Sequence, residues 1–339
     1  MNARQDDEAL LRISGLRVGF GSPKHRLTIL DGLDLSLRKR EILALVGESG
    51  SGKSMTALAA MRLLPQGAAV TAGEIRLGGE DLMALDDKAM NKVRGARIAM
   101  LYQQPKIMLD PTATVGAQVA EAMRLRWNLS RAEAWPKVIG LLRDVGIPEP
   151  ELRAKSYSYQ LSGGMAQRVM IAAALSAEPE VLIADEPTTA LDVTVQAQIL
   201  RLLRKKRDEH DLAILLITHD LAIVASIADR VAVMYAGRVV EQGPARDILN
   251  APSHPYTQAL LRSSLMQAKE DGRLYAIPGH VAASHSMTCG CRFQPRCTLA
   301  GRLGIEAQCL SDEPRLETVS AAHESRCWGK GREGGVHAV

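Results

Sequence analysis

Short apolar runs separated by turns organise the first 50 residues, where Leu11–Val18 and Leu33–Leu37 predict strands. Glu41–Val46 is a continuous apolar run ending at a glycine, the pattern of a buried parallel strand. Met55–Leu64 then predicts a helix stopped by Pro65. Residues 112–156 are rich in Ala, Leu, Arg and Glu and predict a mostly helical stretch. Helix Gln167–Ser176, strand Val181–Ala184, helix Gln196–Arg207 and strand Ala213–Thr218 follow, with short strands Val231–Tyr235 and Val239–Gln242 around Gly237. The alternation predicts an α/β fold with a mostly parallel sheet and a helical insertion in its middle. There is no internal repeat.

At 339 residues the chain has room for two domains, and 46% hydrophobic with 24% charged residues is an ordinary globular composition. The 42 Lys and Arg against 38 Asp and Glu leave a net charge of only +4, which gives no support to a nucleic-acid-binding field. Aromatics at 3% also argue against a base-stacking platform. No apolar run approaches the roughly 18 residues of a transmembrane helix. Met1 to Ala9 is polar and acidic, unlike a signal peptide, so the chain is expected in the cytosol, with any membrane association made through partners.

Between strand and helix, Gly47-Glu48-Ser49-Gly50-Ser51-Gly52-Lys53-Ser54 fits the phosphate-loop pattern G-x-x-x-x-G-K-[ST] in its required context. Glycines let backbone N–H groups turn inward around phosphate oxygens, and the helix N-terminus adds its positive end. Lys53 can reach the β and γ phosphates and the Ser54 hydroxyl can ligate Mg²⁺. The apolar strand Val181–Ala184 ends in Asp185 and Glu186. Asp185 is placed to hold Mg²⁺ through water, and Glu186 to orient and deprotonate an attacking water. His219 ends the next strand, on the edge where α/β sheets bind ligands, and could contact the γ-phosphate.

Leu161-Ser162-Gly163-Gly164-Met165, with Gln167 and Arg168 behind it, resembles the signature of ABC-type ATPases. A serine and two glycines opening a helix make a second phosphate-binding nest. The resemblance implies an ABC ATPase with a RecA-like core, an antiparallel β subdomain and a helical subdomain. It also implies a head-to-tail dimer in which the phosphate loop of one subunit and the signature of the other enclose each ATP. Within it, Gln103 resembles the Q-loop glutamine that senses Mg²⁺, Ala190-Leu191-Asp192 the D-loop, and Phe20 the aromatic that stacks on adenine.

The run from Asp185 to Gln198, together with His254-Pro255-Tyr256-Thr257, resembles the peptide/nickel import subfamily. Two positions depart from that pattern. Segment 104–111 differs where the subfamily faces its membrane partner, and Arg40 stands before Glu41 where a glycine is usual, so a minor change of turn is expected. No catalytic position is lost.

All five cysteines fall between Cys289 and Cys327, which marks the C-terminal part as built by different rules. Cys291, Cys297, Cys309 and Cys327, at spacings x5, x11 and x17, resemble the C-terminal extension of oligopeptide and dipeptide transporter ATPases, some of which hold a [4Fe–4S] cluster. Four thiolates suit that cluster or tetrahedral zinc, and the spacing does not choose between them or exclude reduced cysteines packed as small hydrophobes. Cys289 is a spectator or a substitute for Cys291. Nothing in the sequence places the cysteines near ATP.

The expected boundaries are 1–250 for the nucleotide-binding domain, with its helical subdomain at about 105–165, and 251–339 for the extension. The expected role is the ATP-hydrolysing subunit of a membrane importer of di- and oligopeptides or related solutes such as nickel chelates. The resemblance implies two transmembrane permease subunits, a second ABC ATPase subunit (a heterodimer favoured over a homodimer), an extracytoplasmic solute-binding protein and no nucleic acid. It places the chain peripherally on the cytoplasmic face of the inner membrane. The rival readings are an ABC ATPase of DNA repair or translation, and a redox-sensing regulator.

Overall fold

The computed structural model describes residues 9–22, 25–103, 108–188, 191–264, 275–281, 287 and 289–330. The chain divides into two units: one comprises residues 1–11, 37–41 and 76–216, the other residues 12–36, 42–75 and 217–339.

In the first unit, strands Ile98–Leu101 and Val181–Asp185 pair in parallel, with Ile98 opposite Val181 and Leu101 opposite Ala184. Strand Ala213–Ile217 follows in the sheet order. All three are buried along their length, so their side chains are apolar on both faces rather than alternating. Helices Val115–Trp127 and Arg131–Asp144 fill the predicted helical stretch and pack against helix Gly163–Leu175. The second of them starts with a capping box: Ser130 N–H donates to Glu133 Oε2 at 2.8 Å, and Glu133 N–H donates back to Ser130 Oγ at 3.3 Å. Reciprocal capping of this kind stabilises a helix end by about 1 kcal/mol.

In the second unit the strand order is Glu317–Ser320, His323–Ser325, Arg238–Pro244, Arg230–Tyr235 and Ile42–Val46. Ile42–Val46 runs parallel to Arg230–Tyr235, with Val46 opposite Val233. Arg238–Pro244 turns back antiparallel through Gly237, and His323–Ser325 adds to its other edge, Glu241 opposite Ser325. The cysteine-bearing C-terminal segment therefore contributes a strand to the sheet that carries the phosphate loop. Most of strands His25–Arg38, Ala9–Ser22 and Ala68–Leu77 belong to this unit as well and form a second sheet in that order.

The core of the second unit joins Ala44, Val46, Val233 and Tyr235 of the sheet to Tyr256 and Phe293. Tyr235 packs on Tyr256 with ring centroids 4.6 Å apart and meets Phe293 edge-on at 5.3 Å. Each large side chain buried this way contributes about 1.5–3 kcal/mol. Glu241 is fully buried among them, takes the N–H groups of Ser253 and His254 at 2.5 and 3.0 Å, and lies 2.6 Å from His323 Nε2. A buried carboxylate needs such partners, and these three tie strand Arg238–Pro244 to the 253–254 turn and to strand His323–Ser325.

Two local expectations are adjusted. The helix predicted as Met55–Leu64 runs from Lys53 to Ala60, because Arg62 takes a left-handed φ of 51° and ends it before Pro65 is reached. At Arg40 the turn keeps the conformation a glycine would favour: Arg40 itself adopts φ 57°. Strand Ala68–Leu77 was not foreseen, since Gly73 interrupts its pattern. Residues 104–107 of the departing segment lie outside the described residues.

Candidate functional site

The phosphate loop leaves the buried strand Ile42–Val46 and enters helix Lys53–Ala60. Its path requires glycine at two points. Gly47 has φ 151°, and a Cβ there would lie 2.2 Å from the Met234 carbonyl oxygen. Gly52, at φ 108°, would place a Cβ 2.8 Å from Leu30. From below, Gly237 N–H donates to the Ser51 carbonyl at 2.8 Å. Ser49, Gly50 and Ser54 are exposed, while Ser51 and Lys53 are buried. Lys53 Nζ donates to the carbonyls of Gly47 at 2.7 Å and Glu48 at 2.9 Å, so the cation is held inside the loop. His219, exposed, follows strand Ala213–Ile217, and Thr218 N–H donates to Leu45 O at 3.4 Å. Phe20 is 45% exposed, at the surface rather than in the core.

In the first unit, Asp185 closes the buried strand and Glu186 turns out of it with φ 49°, a left-handed conformation costly for a glutamate. Gln103 Nε2 donates to Glu186 Oε2 at 3.0 Å, so the structure brings these two sequence-selected residues together. Buried Gln167 donates to the Pro187 carbonyl at 2.5 Å and ties the signature helix to the turn after the acid pair. Ser162 is the N-cap of that helix, its Oγ accepting Met165 N–H at 3.3 Å, with Gly163 and Gly164 opening the first turn. Asp192 caps helix Val193–His210 by accepting Val195 N–H at 2.9 Å. Ala190 lies outside the described residues.

Sequence reasoning missed the holders of Glu48. Arg296 forks its carboxylate, Nη1 to Oε2 at 2.7 Å and Nη2 to Oε1 at 3.0 Å. The Glu48 N–H donates to Tyr256 Oη at 2.8 Å. Burial opposes the Arg296 charge, but hydrogen bonds to Glu48 and Tyr235 outweigh it and hold its pKa above the ordinary value. Arg296 is the neighbour of Cys297, so the cysteine segment, which nothing in the sequence places near ATP, reaches the phosphate loop. Pairing across 248 positions leaves no local signal.

Cys291, Cys297, Cys309 and Cys327 line one small cavity with His254 and Trp328. Cys289 is exposed and stands apart from that cavity. Burial pushes the Cys291 thiol up to about 12 and the Cys327 thiol to about 11, with the neighbouring cysteines adding to each shift. Donor type and number suit an iron–sulfur or zinc site. Among the described residues, however, no group of three or more His, Cys, Asp or Glu is arranged to hold a metal ion.

With strand, phosphate loop, acid pair and capped signature helix in place, the class is that of an ABC ATPase. Residues 30–189 match the ABC transporter family model, and residues 240–302 match that of the oligopeptide/dipeptide transporter C-terminal region. A probable peptide ABC transporter ATP-binding protein of Sinorhizobium fredii is 44% identical over 330 residues, covering 97% of each chain. The dipeptide transport ATP-binding protein of Escherichia coli is 43% identical over 319 residues, covering 94% of this chain and 96% of that one. Among solved structures, a dimeric ATP-binding cassette in a post-hydrolysis state bound to ADP and Pi is 26% identical. It superposes with a TM-score of 0.63 over 70% of this chain and 99% of that one. The chain belongs to the ATP-binding proteins of ABC transporters, in the oligopeptide/dipeptide family, and is an ATPase of that family.

Proposed function

We propose that the chain hydrolyses ATP to drive import of di- and oligopeptides through a membrane transporter. The observation that carries this reading is the match of residues 240–302 to the oligopeptide/dipeptide transporter C-terminal region, on a chain that retains every expected ATPase position. Nickel chelates rest on the sequence resemblance alone.

Lys53 and the loop amides bind the β and γ phosphates. Glu186 orients the attacking water and takes its proton, Gln103 fixes the Glu186 carboxylate, and His219 holds the γ-phosphate. Ser54, Asp185 and Gln103 would hold Mg²⁺, their hydroxyl, carboxylate and amide oxygens being the hard donors that ion takes. Bound there, Mg²⁺ would neutralise charge developing on the transferred phosphoryl group. Phe20 offers an exposed ring for adenine. Ser162, Gly163, Gly164 and Asp192 serve the ATP of a second ATPase subunit, which we read as a related chain rather than a copy.

No helix among the described residues is long and apolar enough to cross a membrane. Membrane attachment, which we place at the cytoplasmic face of the inner membrane, is assigned to two permease subunits, served by an extracytoplasmic binding protein, on the family resemblance. On donor chemistry alone the four cysteines suit an accessory [4Fe–4S] or zinc site, with reduced cysteines packed as small hydrophobes as the alternative, and no step of hydrolysis passes through them.

Affinity purification of the tagged Glu186→Gln chain from solubilised membranes with MgATP tests the assembly. Two polytopic membrane proteins and a second ATPase support it. Recovery with DNA or ribosomes, or without partners, defeats it.

A further inference from the structure

Glu48 occupies a variable position of the phosphate loop, yet its carboxylate, N–H and carbonyl are all held by named partners. Its carboxylate accepts two bonds from Arg296, its N–H goes to Tyr256 Oη, and its carbonyl accepts from Lys53 Nζ at 2.9 Å. Three of these four bonds come from the C-terminal third of the chain. The Arg296 side chain is only 4% exposed and is itself fixed. Its Nε donates to the Pro278 carbonyl at 2.6 Å and its Nη1 to Tyr235 Oη at 3.3 Å. Its guanidinium lies 5.6 Å from the centre of the Tyr235 ring and 5.9 Å from that of Phe293.

Such a fork transmits position as well as charge, because a bidentate pair fixes both partners in a plane. It also cancels a negative charge in a loop that must accept a polyphosphate. An unpaired carboxylate there would repel the ligand and loosen the residue whose carbonyl Lys53 grips.

We infer that Arg296 is a positioning residue of the nucleotide site: acting through Glu48, it sets the phosphate loop for nucleotide binding and makes the C-terminal extension a working part of the ATPase. The inference rests on the ATPase reading of that loop.

The test is a double-mutant cycle on the full chain, with MgADP affinity measured by titration calorimetry and folding followed by thermal melts. Arg296→Ala is expected to weaken MgADP binding about tenfold, a loss of roughly 1.4 kcal/mol of binding free energy. Glu48→Gln breaks the fork without leaving a free carboxylate, so it should weaken binding less than Arg296→Ala, and the double variant should be no worse than Arg296→Ala alone, since both act on one contact. Arg296→Lys keeps the charge without the fork and should fall between. If Arg296→Ala fails to fold, the same cycle is run with Arg296→Lys. Unchanged affinity in a folded Arg296 variant, or strictly additive losses, overturns the inference. Failure of the wild-type chain to bind MgADP would instead overturn the ATPase reading beneath it.

Discussion

Gln103 Nε2 donates to Glu186 Oε2 at 3.0 Å, linking the end of one parallel strand to the turn that ends its neighbour. Glu186 reaches this bond from a left-handed backbone, so strain at the acid is offset by a defined partner. Replacing the acid by its amide keeps shape and removes the base. Glu186→Gln should therefore bind MgATP normally and hydrolyse it about 10²–10⁴-fold more slowly. Phosphate release beside a binding isotherm checks this, and wild-type turnover would move the base elsewhere.

Gly237 closes the turn under the phosphate loop at φ 83°, and a Cβ there would fall 2.1 Å from the Ile29 carbonyl oxygen. Its N–H holds Ser51 and its carbonyl accepts Asp31 N–H at 3.1 Å. Gly237→Ala should cost about 2–3 kcal/mol of stability and weaken MgADP binding together with it. Denaturant unfolding and calorimetry on one preparation measure both effects. Loss of neither would mean that the turn relaxes freely.

Asp31 accepts from Arg238 at 2.6 Å and Arg292 at 2.5 Å, with Arg17 3.2 Å away. Burial alone would raise its pKa, but the hydrogen bond and charge of Arg238, then the charges of Arg292 and Arg17, hold it below the usual carboxylate value. A carboxylate depressed in the fold adds stability above its unfolded pKa of about 3.9 and loses it as pH falls through that range. Asp31→Asn should cost about 2 kcal/mol at pH 7, and the gap to wild type should close below about pH 4. Unfolding curves across pH show it. A gap independent of pH would assign the loss to packing.

Cys297 lines the four-thiol cavity next to Arg296. If the thiols bind iron in the cell, Cys297→Ser should lower the iron carried by protein purified without air, while Cys289→Ser, outside the cavity, should not. Equal metal content in the two variants would leave the four cysteines as packed small side chains.

Much of the site is legible in sequence because its parts are local. A strand, a glycine-rich turn and a helix sit within residues 42–60, and the acid pair directly ends an apolar strand. The helix Gln196–Arg207 was likewise readable from its own pattern and is longer by a few residues at each end. What is not legible depends on distant partners. Nothing around Glu48 announces Arg296 and nothing around Glu241 announces His323, since each pair is joined by tertiary packing and not by periodicity. The strand His323–Ser325 is three residues long and exists because Arg238–Pro244 offers it an edge.

Uptake of labelled di- and tripeptides reads out directly whether this ATPase powers peptide import. Cells whose only copy of this chain carries Glu186→Gln are compared with cells carrying wild type, with labelled free amino acids as the control. With Glu186→Gln, peptide uptake should fall to the level of a deletion while amino-acid uptake is unchanged. Peptide uptake equal to wild type, in cells where the variant chain is present, would contradict it.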